Sequence, residues 1–255
     1  MRKITINLAA VAAFCIVVAS PALVSSSCAT PKTEQEDTTI IREDSGITAL
    51  KYSSPEVPAS IEFCGKTIDL SRFDRHERMD RELLAFTYMH STSLQMLKKA
   101  NRYFPIVEPI LKENGIPDDF KYLMVIESNM NPTARSSAGA AGLWQFMQGT
   151  GRDYGLEVNN NVDERYHIEK ATRAACRYLK DAYAKYKDWV AVAASYNAGQ
   201  ARIASQLAKQ DVDDSLDLQL VEETARYVYR ILAAKQLFNA PVSYTHLRAH
   251  ETRHD

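Results

Sequence analysis

Cysteine is scarce in this chain, with four residues in 255. Cys15, Cys28, Cys64 and Cys176 hold no pair at CxxC spacing, so neither a zinc cluster nor a thioredoxin-type dithiol has support. Cys64 and Cys176 read as two isolated buried thiols. Glycine and proline are also sparse, nine of each, which excludes collagen-like and low-complexity chains. An excess of positive charge is missing: 31 Lys and Arg stand against 32 Asp and Glu, for a formal net charge of −1. With no basic stripe either, nucleic acid is not an expected partner. Sustained strand alternation is absent too, and the expected class is all-α. What is present is a hydrophobic share of 45% with 25% charged residues, enough for one large domain or two small ones and incompatible with a wholly disordered chain.

The two ends read as something other than fold. Arg2 and Lys3 precede a mostly apolar run from Ile4 to Val24, and small residues lead to Cys28. Residues 1–28 therefore read as a secretory signal peptide. Asn7, Ser20 and Pro21 weaken the alternative of a permanent membrane span. Ser26-Ser27-Cys28 resembles the end of a bacterial lipobox, which would lipidate Cys28 and give an outer-membrane anchor. Ser25 stands where that pattern wants an aliphatic residue, and cleavage after Ala22 competes. In both cases the mature chain leaves the cytoplasm for the periplasm or cell envelope. At the other end, Ser243 to Thr252 back-translates to TCT TAT ACA CAT CTC CGA GCC CAC GAG AC, a transposase adapter read in frame. Residues 241–255 are thus expected to be an assembly artefact despite their histidines, and the natural gene is expected to continue past Ala240.

Between these ends, residues 29–60 are polar and proline-bearing and read as a linker. Residues 61–104 read as an N-terminal helical extension and 105–240 as the main domain. Leu83, Leu84, Phe86 and Tyr88, then Leu94, Met96 and Leu97, recur at helical intervals from Asp74 onward. A run through Ile106, Val107, Ile110 and Leu111 ends at Asn114-Gly115, a C-cap signal. Ile116-Pro117-Asp118-Asp119 is expected to open the next helix, which Asn131-Pro132 would stop. Further helices are predicted over 169–186, 189–196 and 222–238, with a glycine-bearing turn region at 139–155.

The chemistry is concentrated on the helix after Pro117. Phe120, Leu123 and Met124 form an apolar stripe, and Glu127 continues it at i+7. Desolvation and the negative end of the helix dipole both disfavour an ionised carboxylate there, and both raise its pKa. A carboxyl kept protonated near neutral pH suits a general acid. On helix position alone, a buried Glu held by a structural hydrogen bond fits at least as well. Asp153, Asp163 and Glu164 are nearby in sequence but have no spacing that aims them at the same bond.

Four motifs change the balance. They are Glu127-Ser128-x-x-Asn131-Pro132 with Ser136; Gly139-Ala140-Ala141-Gly142-Leu143-Trp144-Gln145-Phe146-Met147 with Thr150; Ser195-Tyr196-Asn197-Ala198-Gly199; and Glu223-Thr224-Ala225-Arg226-Tyr227-Val228. In this order and spacing the chain resembles the catalytic domain of lytic murein transglycosylases of the soluble type, a fold shared with goose-type lysozyme, and most of all the membrane-bound D branch. The resemblance spans about residues 100–240. It implies that Glu127 is the single catalytic acid and that Ser128 and Ser136 lie beside it or the sugar. It implies that Gln145 and Met147 hold the N-acetylmuramic acid ring, that Tyr196 and Asn197 flank the acid, and that Glu223 and Tyr227 close the cleft. The family pattern has Pro where this chain has Gln148 and Ala where it has Ser195. The implied substrate is peptidoglycan, the implied product a 1,6-anhydro sugar formed with the substrate's help, and no metal or organic cofactor is implied. A monomer is expected; members of this branch often carry glycan-binding LysM repeats after the domain, and the sequence does not say whether this protein does. A hydrolytic muramidase on the same fold would need a second carboxylate. Each motif also has a packing role available: Trp144 as core, Gly199 as a helix cap, and half or more of Tyr154, Tyr166, Tyr183, Tyr186, Tyr196 and Tyr227 as internal packing, the others free to stack on sugar faces.

Overall fold

The computed structural model describes residues 55–241 and 243. The expected signal peptide, Cys28, most of the polar linker and nearly all of the tail after Ala240 lie outside the described residues. The described part is mostly helical, and it opens on a feature the sequence reading missed. Strands β1 (Ser60–Phe63) and β2 (Lys66–Asp69) form an antiparallel hairpin where a helical extension is expected. Four residues per strand are too few for alternation to stand out, yet Ile61, Phe63 and Ile68 all face the core. The turn has positive φ at both central residues, Cys64 (53°) and Gly65 (81°), the geometry of a tight hairpin. The Cys64 N–H donates to Asp119 Oδ2 at 2.6 Å, and Lys235 donates to the Glu62 carbonyl at 2.6 Å while pairing with Asp119 at 2.7 Å. These bonds hold the hairpin on the body. Pro55 is buried and Val57 packs on the core, so the end of the expected linker belongs to the folded unit.

Eight helices follow among the described residues: α1 (Phe73–Tyr88), α2 (His90–Glu113), α3 (Phe120–Ser128), α4 (Gln148–Asp153), α5 (Ile168–Tyr186), α6 (Trp189–Ala198), α7 (Gln200–Lys209) and α8 (Glu222–Asn239). The boundary expected at 104/105 falls inside α2, which carries Pro105 and Pro109 and is capped by Asn114, with Gly115 left-handed at φ 66°. Helix α3 starts later than expected. Pro117 to Asp119 form a preceding turn, closed by the Phe120 N–H donating to the Pro117 carbonyl at 3.1 Å. It also stops earlier, because Asn129 and Met130 both turn left-handed, at φ 48° and 58°, before Asn131-Pro132 is reached.

The core is built round α3. Phe120, Leu123, Met124 and Val125 are fully buried, each such side chain contributing about 1.5–3 kcal/mol of burial. Helix α6 is buried from Val190 to Ser195, and α5 turns Ala171, Ala174, Ala175 and Ala182 inward, small residues that allow close packing against α2 and α6. Helix α8 packs against α1, α3 and α6. Because α3 and α6 both abut α8, residues 70–100 positions apart in sequence converge on one edge of the bundle.

Candidate active site

Glu127 is the penultimate residue of α3, partly exposed at the end of an otherwise buried helix. Its Oε1 accepts a hydrogen bond from the Tyr227 hydroxyl of α8. Burial is the main cause that pushes its pKa up, to about 7, and the Glu223 charge adds to it. The Tyr227 hydrogen bond and the Arg230 guanidinium act in the opposite sense by favouring the carboxylate. The group is therefore poised to give a proton and take one back near neutral pH.

Helix α8 supplies the facing wall. Glu223, Tyr227 and Arg230 lie at i, i+4 and i+7 and so share one stripe. Tyr227 is buried, and burial together with the Glu127 charge holds its phenol well above its ordinary pKa, so it is an O–H donor throughout the working range. Thr224 Oγ1 donates to Asn197 Oδ1 at 2.8 Å, and Asn197 Nδ2 donates to Glu223 Oε1 at 3.4 Å. These bonds tie α6 to α8. Tyr196, next to Asn197, donates its hydroxyl to the Trp144 carbonyl at 2.8 Å and packs between Phe146 and Tyr178, with ring centroids 6.1 and 5.1 Å away. Burial is the main cause that raises its own pKa well above the ordinary value, and the nearby Glu127 charge adds to it. Tyr227 to Glu127, Asn197 to Glu223 and Tyr196 to Trp144 thus link α3, α8, α6 and the 134–147 loop around one carboxyl.

The loop is a rigid frame. Ser136 Oγ accepts from the Ala140 N–H at 3.0 Å, and the Ser136 N–H donates to the Ala140 carbonyl at 2.9 Å. Gln145 is left-handed at φ 50°, and its Nε2 donates to the carbonyls of Gly142 (2.8 Å) and Ala134 (3.2 Å). Met147, exposed by 45%, stands at the rim of a depression of about 340 Å³ with Arg135, Gly139 and Gln148. Trp144 is core as expected, its indole N–H donating to Thr172 Oγ1 at 2.9 Å. Ser128 departs from expectation. It is buried, and its hydroxyl turns back to the Met124 carbonyl at 3.3 Å, away from the Glu127 carboxyl contacts. Among the tyrosines weighed as packing residues or sugar platforms, Tyr227 is buried, and the half-buried Tyr183 and Tyr154 stack on Trp189 and pack on Tyr178.

Arg165 is a residue the sequence reading passed over. It is 2% exposed and donates to the Gly139 and Phe146 carbonyls at 2.7 and 2.9 Å, while Asp163 grips its other side at 2.7 Å. The only trace in the sequence is an Asp-x-Arg in a polar stretch, which is indistinguishable from a solvated surface pair. Gly142 sits against this residue: a Cβ there would lie 1.9 Å from the Arg165 carbonyl oxygen. Among the described residues no group of three or more His, Cys, Asp or Glu could hold a metal ion, and no helix is long and apolar enough to cross a membrane.

A helical bundle arranged round one half-buried carboxylic acid, with a tyrosine hydroxyl on it, defines a class of site suited to proton-assisted bond cleavage. Residues 105–217 match the family model of the Transglycosylase SLT domain. It is 30% identical over 173 residues to membrane-bound lytic murein transglycosylase D of Escherichia coli strain K12, covering 66% of this chain and 37% of that protein. It is 29% identical over 150 residues to membrane-bound lytic murein transglycosylase C of Haemophilus ducreyi, covering 53% of this chain and 40% of that protein. The chain spans well under half the length of these relatives. Among solved structures, the lytic transglycosylase Slt of Pseudomonas aeruginosa superposes with a TM-score of 0.47 at 22% identity, over 58% of this chain and 26% of that one. The matched segment ends at 217, so α8, with Glu223, Tyr227 and Arg230, lies beyond it.

Proposed function

We propose that this protein is a peptidoglycan lytic transglycosylase that cleaves the β-1,4 bond between N-acetylmuramic acid and N-acetylglucosamine, with Glu127 as acid and then base. The observation that carries this reading is the Glu127 carboxyl itself. Burial lifts its pKa to about 7, and Tyr227 stands ready to stabilise the anion formed when the proton leaves. Protonated Glu127 gives its proton to the bridging oxygen as the bond to C1 breaks. The substrate's acetamido group stabilises the C1 cation. Ionised Glu127 then takes the proton of the C6 hydroxyl, whose oxygen bonds to C1. The product is a 1,6-anhydro-N-acetylmuramic acid end; no water is consumed, and Glu127 is again protonated.

In this reading Gln145, Met147 and Ser136 line the sugar rim, Tyr196 and Asn197 hold the α6 wall, and Glu223 with Tyr227 closes the cleft from α8. The proposed substrate and the expected signal peptide support a location in the periplasm or envelope, with cell-wall remodelling as the proposed role. Lipidated Cys28 is the proposed anchor and a monomer the proposed state.

A hydrolytic reading on the same site has one observation in its favour: Glu223 is close enough for its charge to act on Glu127, and it could position a water. The product separates the two. Mass spectrometry of digested sacculi should show muropeptides lighter by one water than lysozyme products; reducing N-acetylmuramic acid ends alone would favour hydrolysis. Glu127→Gln should keep the fold and abolish turnover. Activity within about threefold of the unaltered protein would refute the single-acid mechanism.

A further inference from the structure

We propose that Glu82 of α1 is a positioning residue for the Glu127 site, acting through Arg226 to set the helix that carries Tyr227. This rests on the proposed function. Glu82 is 2% exposed, in a helix face made of Met79, Leu83 and Phe86, and nothing in the mechanism above uses it. A carboxylate in such a seam is unfavourable unless paired with good geometry. The pairing is a fork. Arg226 Nε meets Glu82 Oε1 at 2.7 Å, and Arg226 Nη2 meets Oε2 at 3.3 Å. Arg81 bridges the same two helices, donating to Glu82 Oε1 at 3.3 Å and to Glu222 Oε1 at 2.7 Å.

The clamp therefore holds α8 at positions 222 and 226, immediately beside Tyr227. Successive helix positions differ by about 100°, so Arg226 can face α1 while Tyr227 faces α3. A two-pronged ion pair fixes both the rotation of α8 and its travel along its axis. An apolar seam would tolerate small slips in either. Such a slip matters at Tyr227, whose hydroxyl must meet one carboxyl oxygen. Glu82 is buried while Arg226 is half-exposed, and it is the two-pronged geometry of the pair, more than its contribution to stability, that bears on registry. Neither α1 nor α8 lies within the matched segment 105–217, so the device that aligns the acid's partner is contributed from both sides of it.

The test is a double-mutant cycle on the full chain with purified sacculi, reading kcat, KM and melting temperature for Glu82→Gln, Tyr227→Phe and the double variant. Glu82→Gln should lower kcat on the order of tenfold with KM within about twofold, since displacement of a reacting group acts on the chemical step. In the Tyr227→Phe background it should cost no more than about twofold further. Independent, multiplying losses would overturn the proposal. Arg226→Lys keeps the charge but not the fork, and covers the case in which Glu82→Gln does not fold; an unchanged kcat for Arg226→Lys would equally overturn it. Turnover by the unaltered chain tests the function itself. The carboxyl ¹³C resonance of Glu127 tests the clamp without turnover. It should move in Glu82→Gln but not between Tyr227→Phe and the double variant, and an unmoved resonance in Glu82→Gln would refute the clamp.

Discussion

Replacing Glu127 by Gln should make the protein more stable at neutral pH while removing its activity. The folded carboxyl has a pKa of about 7 against an ordinary value of 4.5. Below pH 4.5 the group is protonated in both folded and unfolded chains and contributes no difference. As pH rises from 4.5 to 7 the unfolded chain releases its proton more readily, and folding stability falls; above 7 the loss is complete. At 1.36 kcal/mol per pH unit, the full difference is about 3 kcal/mol. Glutamine has no such charge to bury, and its amide oxygen can still accept from Tyr227. For a domain of this size, 1 kcal/mol corresponds to roughly 2–4 °C in melting temperature. Calorimetry should therefore find Glu127→Gln higher by several degrees at pH 8 and equal to the unaltered protein at pH 4. A variant of equal or lower stability at pH 8, or a difference that does not vary with pH, would refute the account of the acid as a strained, desolvated carboxyl.

Tyr227→Phe removes a hydrogen bond to the ionised form of Glu127, a bond of the kind that is worth about 1.5–3 kcal/mol. The alkaline limb of kcat/KM, where the acid loses its proton, should move up from about 7 by roughly one to two units, and kcat should fall because the carboxylate needed in the second step is less stable; an unmoved limb would show that the hydroxyl does not act on the acid. Gly142→Ala drives a methyl into the Arg165 carbonyl and is expected to destabilise by more than about 3 kcal/mol, measured by urea unfolding, whereas the same change at Gly139 meets no atom within 4 Å and is expected to cost less. Cys28→Ala should move the protein from the membrane pellet to the soluble periplasmic fraction without changing its specific activity on isolated sacculi. A soluble, unaltered protein beginning at Leu23 would show cleavage after Ala22 instead.

The helices were legible where apolar periodicity is long: α5, α6 and α8 begin and end within two residues of the positions read from their sequences. The hairpin at 60–69 was not, because its two four-residue strands carry too few alternating positions. The ends of α3 were misplaced for a related reason. Proline marks where a helix cannot continue, but here Asn129 and Met130 take left-handed backbone first; Asn is a residue that tolerates that conformation, whereas nothing local announces it at Met130.

Glu127 itself was visible as an acid on an apolar stripe, since burial of a helix face is a property of spacing. Its neighbours from α6 and α8 were visible only as motifs whose roles came from resemblance. Ser128 shows the limit of that route: the motif includes it, but its hydroxyl is occupied by the helix behind it. Arg165 and Glu82 show another. Both are charged residues in polar or mixed stretches, and their burial depends on partners 26 and 144 residues away. Sequence by itself determined the helical class, the place of Glu127 on an apolar stripe and the order of the motifs, because these follow from local periodicity and residue chemistry. Only the tertiary structure decided which hydroxyl meets the acid, which arginine holds the loop and which carboxylate holds α8, because a hydrogen bond across 100 residues depends on how helices pack and not on what any one of them contains.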